Sequence, residues 1–410
     1  MRDRDLYRQI LGIEPPWSVE DVELSTENRE VTVQLANAER QMPCPQCGKP
    51  CQRHDALSRR WRHLDTCQFA TILVAEVPRI SCEEHGVLQV RVPWAEPGSR
   101  FTALFEALVI DWLRAASLSA VAELCGLSWK AVDGIQRRAV ARGLARRTAR
   151  LPQRLGVDET SFQKRHQYVT VVLDQDTDTV VHVAQGRNRV TLDEFFASFT
   201  ETERGAVEAV AMDMCEPYIR SVEQHIPGAQ EKIAFDRFHI AQYLSRAVDQ
   251  VRRAEHRALL EDGDSRLKGT RYLWLHGPAT MSEEARQALE PLRQSSLRTA
   301  RAWAIKELAA SLWQYRTRAW AHRAWMRWYS WAIRSRLEPI KRAARMVKSH
   351  LTGILNAVVS GITNARSEAV NARIQAIKRT ACGFRNPERF RAAILFHLGG
   401  LDLYPAGVTR

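Results

Sequence analysis

Alternating apolar and polar positions mark two groups of strands in this chain. WSVEDVELS and EVTVQLA alternate on either side of the polar turn TENR, which predicts a hairpin over residues 17–35. RLGVDETSF, HQYVTVVLD and TVVHVAQG predict three adjacent strands within residues 153–186. A helix near Leu192–Phe199 follows, and then AVEAVAMD and EKIAFD predict two further strands. The sequence therefore predicts a multidomain α/β protein.

Helical spacing dominates the rest of the chain. From about Phe101 to Leu151 the pattern is helical and basic, and residues 240–346 show no strand signature. Another helix begins near Asn364. The long helical stretch is rich in tryptophan, and most of these rings are expected in a core, while one or two could stack on an unpaired base: Trp274, Trp303, Trp313, Trp320, Trp325, Trp328 and Trp331.

Charge and composition narrow the class of protein. Among 410 residues, 60 Lys and Arg against 47 Asp and Glu give a net charge of +13, which favours a polyanionic partner such as nucleic acid, although a basic enzyme is an alternative. The N-terminus MRDRDLYRQI lacks an apolar core, and the longest uncharged stretch falls short of the ~20 apolar residues of a membrane span. We therefore expect a cytoplasmic protein with no membrane partner, whose eight cysteines are metal ligands or buried thiols rather than disulfides.

Two knuckles within this set of cysteines have the spacing of a zinc site. Cys44 and Cys47 are followed by Gly48, and Cys82 and His85 are followed by Gly86. An x2 gap lets both side chains reach one tetrahedral ion, and the glycine lets the chain turn back toward it. We predict a structural Zn²⁺ site with these four ligands, although Cys51 and His54 share the same x2 spacing and compete as candidates.

A helix-turn-helix pattern lies between Ser117 and Arg138. Ala122, Gly126 and Val132 suit the close approach, the left-handed turn and the anchoring of the second helix, and Ser128 suits its N-cap. The second helix would present four side chains to a major groove, namely Trp129, Lys130, Asp133 and Gln136. Residues 137–154 then hold seven arginines and no acid, and the phosphate-binding candidates among them are Arg137, Arg138, Arg142, Arg146 and Arg147.

Three carboxylates are candidates for chemistry. Asp158 and Asp213 each end an apolar strand, where turn aspartates are equally common. Glu368 lies at helical spacing from Asn364 and Asn371, a position that by itself suits a solvent-exposed residue. Two to three turns further on, Lys378 and Arg379 are additional candidates for DNA contacts.

Over nearly its whole length the chain resembles the ISL-three family of bacterial insertion-sequence transposases. The resemblance rests on the CPQCG knuckle, the helix-turn-helix, GVDE at 156–159, AMDMCEPYI at 211–219, FDRFHI, and the block from SEAVNARIQAIKR to ACGFRN. One departure is His85, at a position that is usually cysteine. The resemblance implies an RNase H-like core, interrupted by a helical insertion, in which Asp158 and Asp213 come from the first and fourth strands and Glu368 from a later helix. It also implies a supporting motif at Asp236 and His239, and we assign Asn371 a similar supporting role.

The resemblance further implies a DDE transposase that binds the terminal inverted repeats of its element, cleaves them and joins them to target DNA. Clustered carboxylates repel one another unless cations occupy the site, and hard oxygen ligands favour Mg²⁺ or Mn²⁺. Double-stranded DNA, and not a small molecule, would be the substrate of a homodimer or larger assembly. The alternatives are a DNA-binding protein with a degenerate catalytic domain and a nuclease that cuts without joining. The predicted domains are a hairpin and zinc module (1–95), a helix-turn-helix domain (96–150), a catalytic core in two parts (151–245 and 356–410) and a helical insertion (246–355).

Overall fold

The computed structural model describes residues 3–163, 167–362 and 364–408. These residues form two compact units. The first contains the chain up to Arg147 together with the residues from Leu401 onward, and the second contains Thr148–Gly400. The sequence-based assignment of residues 356–410 to the catalytic core is therefore wrong at its end. The reason is that the last segment packs against the first unit, where a side chain at Gly143 would meet Leu401.

A six-stranded sheet forms the N-terminal half of the first unit. Its strands lie in the order β1-β2-β5-β4-β3, with β6 paired to β5. The antiparallel pairing of β1 with β2 confirms the predicted hairpin. The elements of this half are α1 (Asp3–Leu11), β1 (Trp17–Ser25), β2 (Glu30–Asn37), β3 (Gln41–Pro43), β4 (Pro50–Arg62), β5 (Ala70–Cys82) and β6 (Gly86–Gln89).

Three buried tryptophans from distant parts of the chain hold this sheet to the segment that follows it. The ring of Trp94 meets Trp17 and Trp61 edge-on, with centroid separations of 4.8 and 5.5 Å. Edge-to-face contacts of this kind add to the burial of large apolar surfaces. The sheet therefore has its own core, independent of the helices behind it.

Three helices complete the first unit, α2 (Ala103–Ala115), α3 (Leu118–Leu124) and α4 (Trp129–Arg146). The Ser128 side chain caps α4 by accepting a hydrogen bond from the Ala131 amide, as predicted. Gly126 has φ +63°, which confirms the left-handed turn between α3 and α4. Ala122 and Val132 are buried where these two helices pack. The predicted helix-turn-helix is therefore present.

A five-stranded mixed sheet forms the base of the second unit, in the order β11-β10-β7-β8-β9. The strands β7 (Arg154–Gln163), β8 (Gln167–Asp174) and β9 (Thr179–Gln185) form an antiparallel meander, whereas β10 (Ala209–Met212) and β11 (Ile233–Phe235) run parallel to β7. Three consecutive strands followed by two parallel ones confirm the predicted order and the RNase H-like arrangement.

Helices surround this sheet and make up the rest of the second unit, and no strand interrupts them among the described residues after β11. A large core of buried apolar side chains extends from the sheet into these helices. They are α5 (Arg189–Ala197), α6 (Glu201–Gly205), α7 (Glu216–His225), α8 (Ala229–Lys232), α9 (Arg237–Glu261), α10 (Arg271–Leu275), α11 (Glu283–Arg293), α12 (Arg298–Ser311), α13 (Arg318–Ile333), α14 (Glu338–Ser349), α15 (Leu351–Ser360), α16 (Ala365–Thr380) and α17 (Pro387–Leu398).

The tryptophans of the helical stretch differ in burial. Four are buried as expected, namely Trp274, Trp303, Trp325 and Trp328. Trp320 and Trp331 are exposed, and Trp313 is half-buried. Within the described ranges, no helix combines the length and the apolar character that crossing a membrane requires.

Candidate active site and DNA-binding elements

Three aspartates directly follow a row of paired residues on three neighbouring strands of the central sheet, and we call them the aspartate row. Val157 of β7 pairs with Met212 of β10, and Met212 pairs with Phe235 of β11. The next residue after each of these three is an aspartate, so Asp158 lies within β7 while Asp213 and Asp236 directly follow the neighbouring parallel strands β10 and β11. Neighbouring strands are about 4.8 Å apart, which gathers the three carboxyl groups at one edge of the parallel pairing. Sequence alone does not show this row, because it depends on strand register.

The placement of Asp158 differs from its prediction as a strand end. β7 continues to Gln163 because residues 158–163 still pair with β8. Only the parallel pairing with β10 stops at Val157. Asp158 therefore lies in the interior of a strand, at the point where its other neighbour ends. This position fixes the backbone of Asp158 more firmly than a turn would.

The residue spacing of helix α16 matches that of one face of β7. This face carries Gly156, Asp158 and Thr160, and each is about 6.6 Å from the next. On the helix, every fourth residue advances about 6 Å. Asn371 Nδ2 donates to Asp158 Oδ2 at 2.8 Å, and Gln375 Nε2 donates to Thr160 Oγ1 at 2.7 Å.

Glu368 lies between two asparagines that both face Asp158. Asn364 Nδ2 is 3.4 Å from Asp158 Oδ2 and Asn371 Nδ2 is 2.8 Å from the same oxygen. Residues 364, 368 and 371 share one side of the helix, as predicted. The pKa of Glu368 is raised by desolvation and then by the charge of Asp236. Glu368 therefore lies on the side of the helix that carries both asparagines, and it is exposed to solvent.

Asp213 belongs to a group of polar side chains around Arg187. Asp213 Oδ1 accepts a hydrogen bond from the Cys215 amide at 3.0 Å, and its Oδ2 lies 3.9 Å from Arg187 Nη2. Arg187 Nε lies 2.8 Å from Glu159 Oε2. The guanidinium therefore bridges two carboxylates that would otherwise repel each other.

Neither Glu159 nor Arg187 was singled out from the sequence. Glu159 directly follows Asp158 in the GVDE motif, and that position is the only signal that could have found it. Arg187 follows β9, which reaches the site only because β9, β8 and β7 are adjacent in the sheet. No local pattern in the chain indicates that contact.

Asp236 and His239 lie at the start of α9 and face the same edge of the sheet. Asp236 is 5% exposed, and its Oδ2 has no hydrogen-bond partner within the described part of the chain. His239 Nε2 is 4.0 Å from that oxygen. Burying a carboxylate oxygen without a hydrogen-bond donor costs free energy. A bound cation or a donor from a ligand would offset that cost.

The pKa values of the site follow from its burial. Desolvation raises the pKa of Asp158 to about 6 and that of Glu159 to about 7. Desolvation also raises the pKa of Asp213. His239 opposes the shifts at Asp158 and Asp213, whereas Asp236 reinforces both. The protein therefore keeps several acidic groups in a site that disfavours their charge, an arrangement common at functional sites.

The two basic candidates at the end of α16 have different surroundings. Lys378 Nζ donates to the Ser161 carbonyl at 2.9 Å and so ties the helix to β7. Arg379 is exposed. Of these two residues, Arg379 is therefore the one whose side chain is accessible to DNA.

In the first unit, the four predicted zinc ligands come together. Cys44, Cys47, Cys82 and His85 place one ligand atom each within 4.8 Å of one another, the only such group among the residues that the structure describes. Cys47 Sγ and Cys82 Sγ are 3.8 Å apart, which equals the roughly 3.8 Å edge of a tetrahedron with Zn–S bonds near 2.3 Å. Cys51 Sγ instead donates to the Lys49 carbonyl, and it lies outside the group, as does His54.

The exposed face of α4 is narrower than predicted. Trp129, Lys130 and Arg137 are exposed. Asp133 and Gln136, however, are buried, so the prediction that they face a groove is wrong. The physical reason is that Gln136 lies four residues after Val132 and therefore shares the face of α4 that packs on the other helices.

Much of the arginine run is part of the fold. The Arg142 side chain is 8% exposed and lies between two carboxylates, with Nε 2.7 Å from Glu96 Oε1 and Nη2 3.0 Å from Glu106 Oε2. Arg138 also pairs with Glu106, and Arg146 Nη1 pairs with Asp402 Oδ2 at 2.8 Å. The interpretation of Arg142 as a phosphate contact is therefore wrong, and Arg138 and Arg146 are already engaged.

Arg137 and Arg147 lie on the exposed surface of the run. Lys130 and Arg137 lie two turns apart on α4, whereas Arg147 follows the C-terminal end of the helix, about 26 Å from Lys130 along its axis. Exposed basic residues of this kind suit contacts to DNA phosphates.

A four-ligand thiol–imidazole cluster, a helix-turn-helix and an RNase H-like sheet with a carboxylate row define the chain as a DNA transposase. Family models match all three parts: "zinc-finger of transposase IS204/IS1001/IS1096/IS1165" over residues 40–85, "Helix-turn-helix domain of transposase family ISL3" over 90–140, and "Transposase" over 155–394. The last match alone covers more than half of the chain. The chain therefore belongs to transposase family ISL3.

Curated relatives are similar over almost their whole length. The "Transposase for insertion sequence element IS1557" of Mycobacterium tuberculosis is 29% identical to this chain, with 98% of this chain and 96% of the relative covered. The "Transposase for insertion sequence element IS1001" of Bordetella parapertussis is 28% identical, with 95% and 97% covered. The resemblance to the ISL-three family that the sequence motifs indicated is therefore confirmed.

Proposed function

We propose that this transposase binds the terminal inverted repeats of its own insertion sequence, cleaves DNA there and joins the freed ends to target DNA. The proposed catalytic residues are Asp158, Asp213 and Glu368. The proposal depends on the pairing of β7 with β10, which places Asp158 and Asp213 side by side. It also depends on the hydrogen bonds from Asn364 and Asn371 to Asp158, which hold the helix that carries Glu368 against β7.

The chemistry of the donor set suits a divalent cation, although among the described residues the carboxylates of Asp158, Asp213 and Glu368 do not bring their oxygens within 4.8 Å of one another. Carboxylate oxygens are hard ligands that favour Mg²⁺ or Mn²⁺. Burial raises the pKa of Asp158 and Asp213, and the buried Asp236 Oδ2 has no donor among the described residues. A bound cation at Asp158, Asp213 and Glu368 would neutralise this charge and polarise the phosphodiester.

The surrounding side chains orient these carboxylates. Asn371 and Asn364 donate to Asp158 Oδ2, and the Glu159 amide donates to Asp158 Oδ1 at 2.8 Å, so both oxygens of this carboxylate are held in place. The Cys215 amide fixes Asp213 through Oδ1 and leaves Oδ2 beside Arg187. We assign Asp236 and His239 a supporting role, because Asp236 directly follows β11 beside Asp213 and His239 Nε2 lies 4.0 Å from Asp236 Oδ2.

The cysteine–histidine cluster is proposed to hold Zn²⁺ in a structural role. All four ligands come from the protein, so no coordination position is left for a substrate. Cys44 and Cys47 lie beside β3, whereas Cys82 ends β5 and His85 precedes β6. The ion would therefore join segments of the sheet that are distant in the sequence.

Recognition of double-stranded DNA is assigned to the helix-turn-helix. Trp129 and Lys130 begin α4, where such helices meet base edges, and Arg137 and Arg147 provide phosphate contacts. Arg379 adds a basic residue in the second unit. Because two element ends must be joined to one target, we propose a homodimer or larger assembly on DNA.

The test is strand transfer by the purified full-length protein with Mg²⁺ or Mn²⁺, using pre-cut element ends and a target plasmid. The substitutions Asp158→Asn, Asp213→Asn and Glu368→Gln should each abolish joining and leave duplex binding within about twofold of wild type. Glu284→Gln is the matched control, since Glu284 is an exposed glutamate in the first turn of α11. Joining retained in one of the three variants would remove that residue from the proposal, and binding without metal-dependent cleavage would indicate a DNA-binding protein instead.

A further inference from the structure

Helix α13 carries a stripe of tryptophan and arginine on its outer face. Trp320, Arg323, Arg327, Trp331 and Arg334 follow one another at spacings of three, four, four and three, which places them on one side of the helix. Trp320 is 58% exposed and Trp331 is 41% exposed, and the three arginines are exposed. We call these five residues the α13 stripe; it is about 21 Å long.

The exposed rings are not needed for the core. The inner face of α13 is already filled by Ala321, Trp325, Trp328 and Ala332, all buried. The Arg323 guanidinium stacks over the Trp320 ring at 5.2 Å. Large aromatic side chains in water are unfavourable unless a partner covers them, so the stripe has the composition of a binding surface.

The charge of the stripe points to an anionic partner. No acidic residue occurs between Gln314 and Leu337. Within the described ranges, no carboxylate pairs with Arg323, Arg327 or Arg334. Like charges at i, i+4, such as Arg323 and Arg327, destabilise a helix, and a polyanion would relieve that repulsion.

We propose that the α13 stripe binds a DNA strand with unpaired bases, the arginines contacting phosphates and the tryptophans stacking on bases. A second copy of the same face would set arginine against arginine. On helices that lie in a membrane surface, cations and aromatic rings occupy opposite faces, whereas here they alternate on one face. Bases in an intact duplex do not offer their faces, so the stacking requires unpaired nucleotides. This inference rests on the proposed function, which makes DNA the polymer that the protein handles.

The test compares a single strand of about 16 nucleotides with the fully paired duplex of the same sequence, by fluorescence anisotropy with the full-length protein. Trp320→Ala with Trp331→Ala should weaken single-strand binding roughly tenfold or more, while Trp320→Phe with Trp331→Phe should stay within about threefold of wild type. Arg323→Gln with Arg327→Gln should make single-strand binding less sensitive to salt, and the negative slope of log K against log salt should become shallower by about 1.4. Duplex binding should stay within about twofold, which also shows that the variants fold.

The matched control is Tyr272→Ala with Arg271→Gln. Tyr272 is an exposed ring with the Arg271 guanidinium 5.6 Å from its centroid, on α10 rather than α13. This control should leave single-strand binding unchanged. Wild-type single-strand binding by the alanine variant, or an equal loss with the control, would overturn the proposal.

Two further measurements test other occupants. A change in the sedimentation of the DNA-free protein caused by the alanine variant, with single-strand binding intact, would assign the stripe to self-association. Loss of binding to phosphatidylglycerol vesicles with single-strand binding intact would assign it to a lipid surface. Strand transfer is scored separately: a protein that binds single strands through the stripe but never cleaves would refute the proposed function alone.

Discussion

Replacing Gly156 by alanine tests how closely α16 must approach β7. A Cβ at Gly156 would lie 2.5 Å from Ser367 Oγ and 3.1 Å from Gln175 Nε2. Ser367 is the residue directly before Glu368, so a backbone movement that relieves this clash would displace the first turn of the helix that carries the proposed catalytic glutamate. Gly156 therefore couples packing to the position of the site.

The size of the effect follows from the distances. Ordinary contact begins at about 3.4 Å, so Ser367 would have to withdraw by roughly 0.9 Å (3.4 − 2.5). Overpacking of a well-filled interior costs about 1–3 kcal/mol. A displacement near 1 Å at a reacting group can lower a rate about 100-fold. We expect both losses together, with the loss of rate exceeding what the loss of stability explains.

The assay is a double-mutant cycle with Ser367→Ala, measured by urea unfolding and by strand-transfer rate. Ser367 Oγ is buried and, within the described part of the chain, has no hydrogen-bond partner. Removing it should therefore cost less than about 0.5 kcal/mol. In the double variant the closest obstacle is gone, so at least about half of the lost stability and rate should return.

A matched glycine provides the control. Gly205 ends α6, and a Cβ added there would have no neighbouring atom within 4 Å. The backbone of Gly205 does not have a positive φ, so alanine can adopt its conformation. Gly205→Ala should be neutral or stabilise by up to about 1 kcal/mol. The reasoning would be refuted if Gly156→Ala left stability and rate unchanged, or if Ser367→Ala failed to rescue either of them.

Three further outcomes are expected. Cys44→Ser should reduce bound zinc, measured by elemental analysis of the purified protein, and should lower the unfolding temperature of the first unit only; full zinc occupancy would contradict the proposed ligand. In metal-free protein, Asp158 binds its proton more tightly when folded, since its pKa is raised to about 6 from about 3.9 in unfolded chains. Wild type should therefore gain stability relative to Asp158→Asn as the pH falls from about 7 to about 4, and a relative loss in urea unfolding would contradict this sign. Arg142→Ala should destabilise the first unit by roughly 1–3 kcal/mol in thermal unfolding, because Glu96 and Glu106 lose their shared cation while Glu106 keeps its pair with Arg138, whereas Arg137→Ala should mainly weaken duplex binding; the reverse pattern would restore Arg142 as a DNA contact.

The sequence by itself determined the order of the elements and the local motifs. Strand periodicity indicated the hairpin of β1 and β2 and the five strands of the second unit, and the x2 knuckles identified the four cluster ligands. The cap at Ser128 and the left-handed turn at Gly126 were likewise predictable. All of these depend on interactions between residues a few positions apart, whose spacing is visible in the chain.

Only the tertiary structure decided which side chains meet across the fold. The row of Asp158, Asp213 and Asp236 depends on the register of three strands, and the contact of Arg187 with Glu159 depends on the order of the sheet. The burial of Gln136 and Arg142 could not be inferred from an arginine-rich helix, because the residues that cover them come from elsewhere in the chain. Charge composition cannot distinguish an arginine that faces water from one that faces a buried glutamate, since that difference arises only when distant segments pack together.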